Sequence, residues 1–396
     1  MHEAAAGEQK TQRIRAAPLI LLTSCFFLNF SSRIILAPLL PAIEQGLSLR
    51  HGQAGSFFLL ISCGYFLALT GSGFVSSRLG HRNTIFLSLV AIGTSLGMVA
   101  VSPTLLFMQL CFFLLGLASG LYLPSAVATI TSLFPPGQWG RAFGVHEIAP
   151  NLAFLTTPLV VAALLPTFSW RLTLLVLAMG VAVAGLVYLV YGPGRELRGS
   201  APNLSHCRQL WGTRHFWHMV ILFSMGITGT LGVYSVLPTF LVAVHAMAPG
   251  DANVLVGLSR SATLITALLG GWVADRYGNR LTMMLVLLMT GIVTVLLGLQ
   301  PPDSPVAVLV WLQPLVAVCF FPPGFSLLAE IGEPSRRNLV ISLVIPLAFL
   351  VGGGLVPALV TRLADFGYFR TGLQLTGLYI AAGTVLLMPR GWQHAR

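Results

Sequence analysis

The sequence predicts an all-α membrane protein whose twelve transmembrane helices form two pseudo-symmetric six-helix bundles. Three observations carry that expectation: the composition, the number of long apolar runs, and a turn motif that occurs twice, half a chain apart. Of 396 residues, 56% are hydrophobic and 8% charged, with a mean hydropathy of +0.85, whereas an ordinary soluble domain is about 25% charged. A soluble enzyme and a disordered chain are both excluded, the second because disorder needs few apolar residues and this chain has little else.

Runs of about 20 apolar residues with few charges are long enough to cross a bilayer. Twelve occur, at 16–41, 53–77, 84–102, 104–134, 141–165, 171–192, 216–243, 253–274, 281–300, 305–330, 338–361 and 371–389. The first is longer than a signal-peptide core and lacks a small-residue cleavage site, so it reads as an uncleaved span. Most connections are short, which makes neighbouring helices antiparallel and leaves no room for a soluble catalytic domain. The exception, 193–215, carries Gly, Pro, Ser and Arg and reads as a linker between a bundle over 1–192 and another over 216–396. Gly116 and Gly120 in the fourth run, Gly352 to Gly354 in the eleventh, and Pro322 with Pro323 in the tenth mark either close helix packing or hinges.

The 22 Lys and Arg against 11 acidic residues would suggest nucleic acid in a soluble protein. Their positions give a topological reading instead. Arg50, Arg171, Arg362 and Arg370 fall on one side, Arg33 and Arg260 inside spans, and the remaining 16 on the other side. The basic side is expected to be cytoplasmic, with both termini there, in a multi-pass protein of the bacterial inner membrane with no nucleic-acid partner. Five scattered cysteines with no CxxC or histidine spacing argue against a metal site and against structural disulfides, and no cofactor is expected.

After the second run comes Gly73-Phe-Val-Ser-Ser77-Arg78-Leu-Gly80-His-Arg82, and after the eighth Gly271-Trp-Val-Ala-Asp275-Arg276-Tyr-Gly278-Asn-Arg280. Glycines allow a tight turn and the arginines hold it on the basic side. Two six-helix halves with this turn in register resemble the major facilitator superfamily of secondary transporters. The resemblance covers the whole chain and implies two bundles that rock about a central cavity to expose one site alternately. It also implies a gating role for Gly73, Arg78, Gly80, Arg82, Asp275, Arg276, Gly278 and Arg280. The first copy has Ser77 where the family usually has Asp, which implies a weaker latch on that half.

An ionisable group inside a span costs about 2.5 to 3.5 kcal/mol or more and calls for a partner, a cavity or a function. Arg33 lies about 25 Å into the first helix at 1.5 Å per residue. It has two readings, contact with an anionic substrate or a brace to carbonyls or Glu44. Arg260 lies at comparable depth in the eighth helix of the other half, so the pair could clasp one anion with guanidinium forks. Its second reading is a bond to Asp251 or a loop carbonyl. His146 and Glu147 open the fifth helix as an adjacent titratable pair, able to carry a coupled proton or to serve the gate near Arg141. No nucleophile, base and orienter accompany them, so no enzyme is expected. Among uncharged hydrogen-bonding residues, Tyr122, Tyr234 and Asn151 are expected to line the pathway, with Tyr65 and Gln313 as further candidates.

Absences narrow the branch. Drug and proton antiporters of this superfamily usually carry an Arg four residues before a fourth-helix Gly and a GP motif in the fifth helix. Here Gly116 stands where that Arg would be, and the fifth helix lacks the motif. Nitrate and monocarboxylate carriers place an eighth-helix Arg closer to the loop Asp than Arg260 is. The reading is therefore a carrier that moves a small organic anion with protons. Efflux of amphipathic compounds is the alternative, and a non-transporting receptor or scaffold on the same fold is a third class.

Overall fold

A computed structural model describes residues 2–199, 212–329 and 337–388, with side chains described for 16–199, 212–328 and 343–388. Eleven helices among them are long and apolar enough to cross a membrane. These are α1 (Ala16–Leu47), α2 (His51–Leu79), α3 (His81–Ala100), α4 (Leu105–Leu133), α5 (Pro136–Leu164), α6 (Trp170–Tyr191), α7 (Arg214–His245), α8 (Pro249–Tyr277), α9 (Asn279–Leu299), α10 (Ala307–Leu328) and α11 (Leu343–Ala364). A twelfth, α12 (Phe369–Leu386), is shorter and carries Arg370 and Gln374 in its first turns. The protein is a multi-pass membrane protein. Several helices run past the apolar stretches that announce them, as α5 does from Pro136 and α8 to Tyr277, because backbone hydrogen bonding continues while the polar flanking side chains reach the interface.

Alternating directions define two faces: a terminal face, where α1 begins and α12 ends, and a far face. Arg78, Arg82, Arg141, Arg195, Arg198, Arg214, Arg276 and Arg280 lie toward the first, and Arg50, Arg171, Arg362 and Arg370 toward the second. Lys10, Arg13, Arg15, Arg208, Arg336, Arg337, Arg390 and Arg396 lie outside the residues whose side chains are described, as do Cys207 and the 200–211 part of the expected linker.

The two halves repeat one construction. Gly80 and Gly278 have φ of +78° and +91°, and each ends one helix and starts the next. Such backbone favours glycine, which is why both repeats keep one there. Two residues on, Arg82 donates to the carbonyls of Leu189 and Val190 at the end of α6, and Arg280 to the carbonyl of Leu387 just past α12. At the far face Arg171 donates to Ala100 at the end of α3 (2.8 Å), and Arg370 to Leu299 at the end of α9 (2.6 Å). All four cations sit on helix C-termini, where unpaired carbonyls concentrate negative charge.

Gly116 and Gly120 press α4 onto α2. A Cβ at Gly116 would lie 2.1 Å from the carbonyl oxygen of Ile61, and one at Gly120 2.7 Å from that of Tyr65. Close packing is thus the reading the fourth helix supports. The interruption of α10 is a 3-10 turn at Val318–Phe320. It lies just before Pro322 and Pro323, whose missing N–H groups leave the preceding carbonyls unbonded. Two π-helical segments, Thr228–Gly232 in α7 and Leu350–Leu355 in α11, meet where a Cβ at Gly232 would lie 2.5 Å from the Gly352 carbonyl oxygen.

The halves join from mid-membrane to the far face. Asn253 donates to the carbonyl of Pro38 (3.1 Å), and the Gly52 N–H to Asp365 (3.0 Å). Gly55 faces Thr361 so closely that a Cβ would lie 1.7 Å from its hydroxyl oxygen. Among the described residues no hydrogen bond or ion pair joins the halves at the terminal face.

Candidate functional site

Arg33 and Arg260 come from opposite halves, and the structure seats both in one aromatic cluster at the junction. The Arg33 guanidinium lies 4.2 Å from the Tyr65 ring centre, 4.8 Å from Phe30 and 5.8 Å from Phe349 of the other half. Arg260 is 4% exposed. It lies 4.8 Å from the ring of Phe154, across the junction, and 5.2 Å from that of Tyr234. Phe30 and Phe154 meet edge to face at 5.1 Å and stand between the two cations, which therefore do not face each other directly.

Glu44 is not the partner of Arg33: it pairs instead with His51, Nδ1 to Oε2 2.9 Å. Nor does Arg260 bond Asp251 or a loop. Its Nη2 donates to the carbonyl oxygen of Thr230 at 3.1 Å, inside the π-helical part of α7, where altered pairing makes carbonyls available. The Nε groups of Arg33 and Arg260 and the hydroxyl of Tyr234 are buried with no hydrogen-bond partner among the described residues. No Asp or Glu pairs with either arginine there. The cluster thus holds two cations stabilised by ring faces, each contact worth about 0.5 to 2 kcal/mol, and its chemistry is complementary to an anion. Free volume beside Arg33, Tyr65 and Phe349 is about 30 Å³, room for roughly one water.

Tyr122 lies elsewhere, in a stack within the first half. Its hydroxyl donates to the Leu22 carbonyl (2.6 Å) and sits 3.3 Å from His146 Nε2. Phe26 lies flat on the His146 ring, centroids 4.4 Å apart. His146 is fully buried, while the Glu147 side chain is 59% exposed with Oε1 3.6 Å from His146 Nδ1. The pair therefore spans from the packed interior to accessible space. Asn151 bonds the Glu147 carbonyl one turn back (3.1 Å), and Gln313 donates to the Gly229 carbonyl (2.7 Å) beside the π segment.

Within the turn motif, Gly80, Gly278, Arg82 and Arg280 shape and cap the helix ends as described. Gly73 lies in the last turns of α2. Arg78 and Asp275 are exposed, Arg276 rests against the Tyr277 ring (5.8 Å), and Asp275 has no ion pair among the described residues. Ser77 bonds its own helix at Phe74 (2.9 Å). Phe30, Phe154 and Phe349 are the site residues that sequence reasoning passed over.

The sequence profile of the Major Facilitator Superfamily matches residues 22–259 and 245–391. The chain belongs to the Major Facilitator Superfamily. This is a family of transporters and not of enzymes. Over 280 residues the chain is 23% identical to the uncharacterized transporter YybO of Bacillus subtilis, a match that covers 65% of this chain and 64% of that protein. It is 21% identical over 290 residues to the probable sulfoacetate transporter SauU of Cupriavidus necator (68% and 67% covered). With the probable nitrate transporter NarT of Staphylococcus aureus it shares 20% over 367 residues (92% and 88%). A bacterial homologue of the human lysosomal transporter Spinster, solved inward-facing and unoccupied, superposes with a TM-score of 0.80 at 15% identity, covering 94% of this superfamily member and 96% of that chain.

Proposed function

We propose that this protein is a secondary active transporter of the bacterial inner membrane that carries a small organic anion by alternating access, coupled to protons. One observation carries the reading: two guanidiniums, one from each half, Arg260 buried and Arg33 half-buried, lie in a single cluster with no carboxylate paired to either among the described residues. A carboxylate, sulfonate or phosphate would satisfy the unbonded N–H of Arg260 with the Tyr234 hydroxyl, and would reach Arg33 as well once Phe30 and Phe154 swing apart. The relatives named for sulfoacetate and nitrate are named for anions, which agrees. His146 and Glu147 would carry the proton, the exposed carboxylate exchanging it with water and the buried imidazole relaying it toward Tyr122.

With the basic terminal face cytoplasmic, the packed far face is periplasmic and the conformation described is closed to the outside. Bundles over 1–192 and 216–396 would rock about the arginine cluster, with 193–215 as their tether. Efflux of an amphipathic compound is the second reading, favoured by the aromatic walls of the cluster.

The test is a thermal-shift and binding screen of the purified protein with carboxylates, sulfonates, phosphates and amphipathic cations, because a ligand of the native state raises its melting temperature. An anion is expected to bind. Arg260→Lys, which keeps charge but loses the planar fork, should weaken it substantially and Arg260→Ala more so, loss of the charge-assisted pair costing about 2 to 3 kcal/mol or about 30- to 150-fold. Normal binding in both variants, or a cationic ligand, would sink the anion reading.

A further inference from the structure

At the terminal face of the first half, the segment after α6 folds back over the α2–α3 turn. The His81 N–H donates to the Leu197 carbonyl (2.9 Å) and the Gly199 N–H to the Ser76 carbonyl (3.1 Å). This fixes a short stretch of loop and with it Arg195 and Arg198, which line a pocket of about 460 Å³ with Arg82, Asn83 and Leu79. Glu196 is the one acid in that stretch, so the pocket keeps a positive balance.

A second cavity of about 660 Å³ opens toward the membrane between α2, α3 and α4. It is lined by residues such as Gly71, Val75, Leu87, Met98 and Leu117. Its hydroxyls are already used: Thr94 bonds Val90 (2.9 Å) and Ser95 bonds Ala91 (2.8 Å) in their own helix. The groove is apolar in chemistry as well as composition.

The two cavities share a stripe of α3. Asn83 in the basic pocket and Leu87 in the groove are one turn apart, about 6 Å. From Leu87 to Met98 the groove runs about 16 Å, close to one leaflet's half of a hydrocarbon core about 30 Å thick.

We propose that this continuous surface binds one anionic phospholipid, its phosphate between Arg195 and Arg198 and an acyl chain in the α2–α3–α4 groove. A phosphate ester satisfies the arginines, and only a lipid supplies a chain of leaflet length directly beneath it. The bound lipid would hold the start of the inter-bundle segment against the first half.

Native mass spectrometry of the purified full chain, titrated with phosphatidylglycerol or phosphatidylcholine, tests the site. One phosphatidylglycerol should bind in preference to phosphatidylcholine by about 30-fold, given roughly fivefold per arginine near the surface. R195Q/R198Q should bring the two lipids within a few fold of each other. Gly71→Phe fills the groove at a position with open space around its Cβ, and should weaken both lipids while leaving lipid-free melting unchanged. Inorganic phosphate at millimolar concentration should displace neither. Equal binding of the two lipids by the unaltered chain, an undiminished preference in R195Q/R198Q, or displacement by inorganic phosphate would overturn the proposal. Should the double variant fail to fold, undiminished binding in Gly71→Phe decides against it alone.

Discussion

Arg260 shows how a buried cation is held in a membrane with no counter-ion among the described residues. Insertion of the charge costs about 2.5 to 3.5 kcal/mol, and the Thr230 carbonyl bond with two ring faces offsets a comparable amount. The residue still keeps an Nε with no hydrogen-bond partner among the described residues. His146 follows the same logic with a different outcome. It is buried against Phe26 and Tyr122 and lies 3.6 Å from exposed Glu147, which is the basis for the proposed proton role. Glu147→Gln and His146→Ala should abolish uphill uptake driven by a pH gradient in liposomes while counterflow exchange persists. Unchanged accumulation in both variants would remove this pair from coupling. Both arginines and this pair were legible in the sequence because an ionisable residue in an apolar run is conspicuous. Phe30 and Phe154 were not, since phenylalanines in a membrane helix look alike until packing shows which ones separate two guanidiniums.

Helices show the same division. Glycine followed at two residues by arginine marked the α2–α3 and α8–α9 turns, because a positive φ restricts residue choice. The destinations of Arg82 and Arg280, the carbonyl ends of α6 and α12, could not be read, because they lie more than a hundred residues away. Arg171 and Arg370 counted only as loop charges, though both cap helices. Gly55 of α2 is the element-scale test of the far-face closure. A side chain there meets Thr361 of α11 head-on, so Gly55→Val should act as a wedge. Overpacking costs about 1 to 3 kcal/mol, which shifts the closed population roughly 5- to 150-fold. A cysteine at Thr361 should then react faster with a membrane-impermeant maleimide applied to the far face. An unchanged rate would mean that this contact does not gate that side.

For the whole molecule, the division of basic residues predicts an orientation that can be measured directly. Reporter fusions at Arg198 and Arg396 should both report the cytoplasm, and periplasmic activity at either would reverse the orientation and question the helix count. The twelve-helix pattern and the half-chain repeat were open to sequence reasoning because both are periodicities. Which face the halves close on was not, because it depends on contacts such as Asn253 with Pro38 that arise only when the bundles meet.

The paired π-helical segments of α7 and α11 have a mechanical consequence. Each holds one surplus residue within a widened turn, so the helix on either side can change its twist by sliding that surplus along, without breaking its hydrogen-bond column. Arg260 is tied to a carbonyl inside one of these segments and the Gly232–Gly352 contact couples it to the other. Among the described residues the corresponding helices α1 and α5 have single-residue turns, at Ile35 and Glu147, in place of such segments. The second half thus carries widened turns where the first carries single-residue breaks, and under the proposed function an anion drawn to Arg260 would act first on the widened turn of α7.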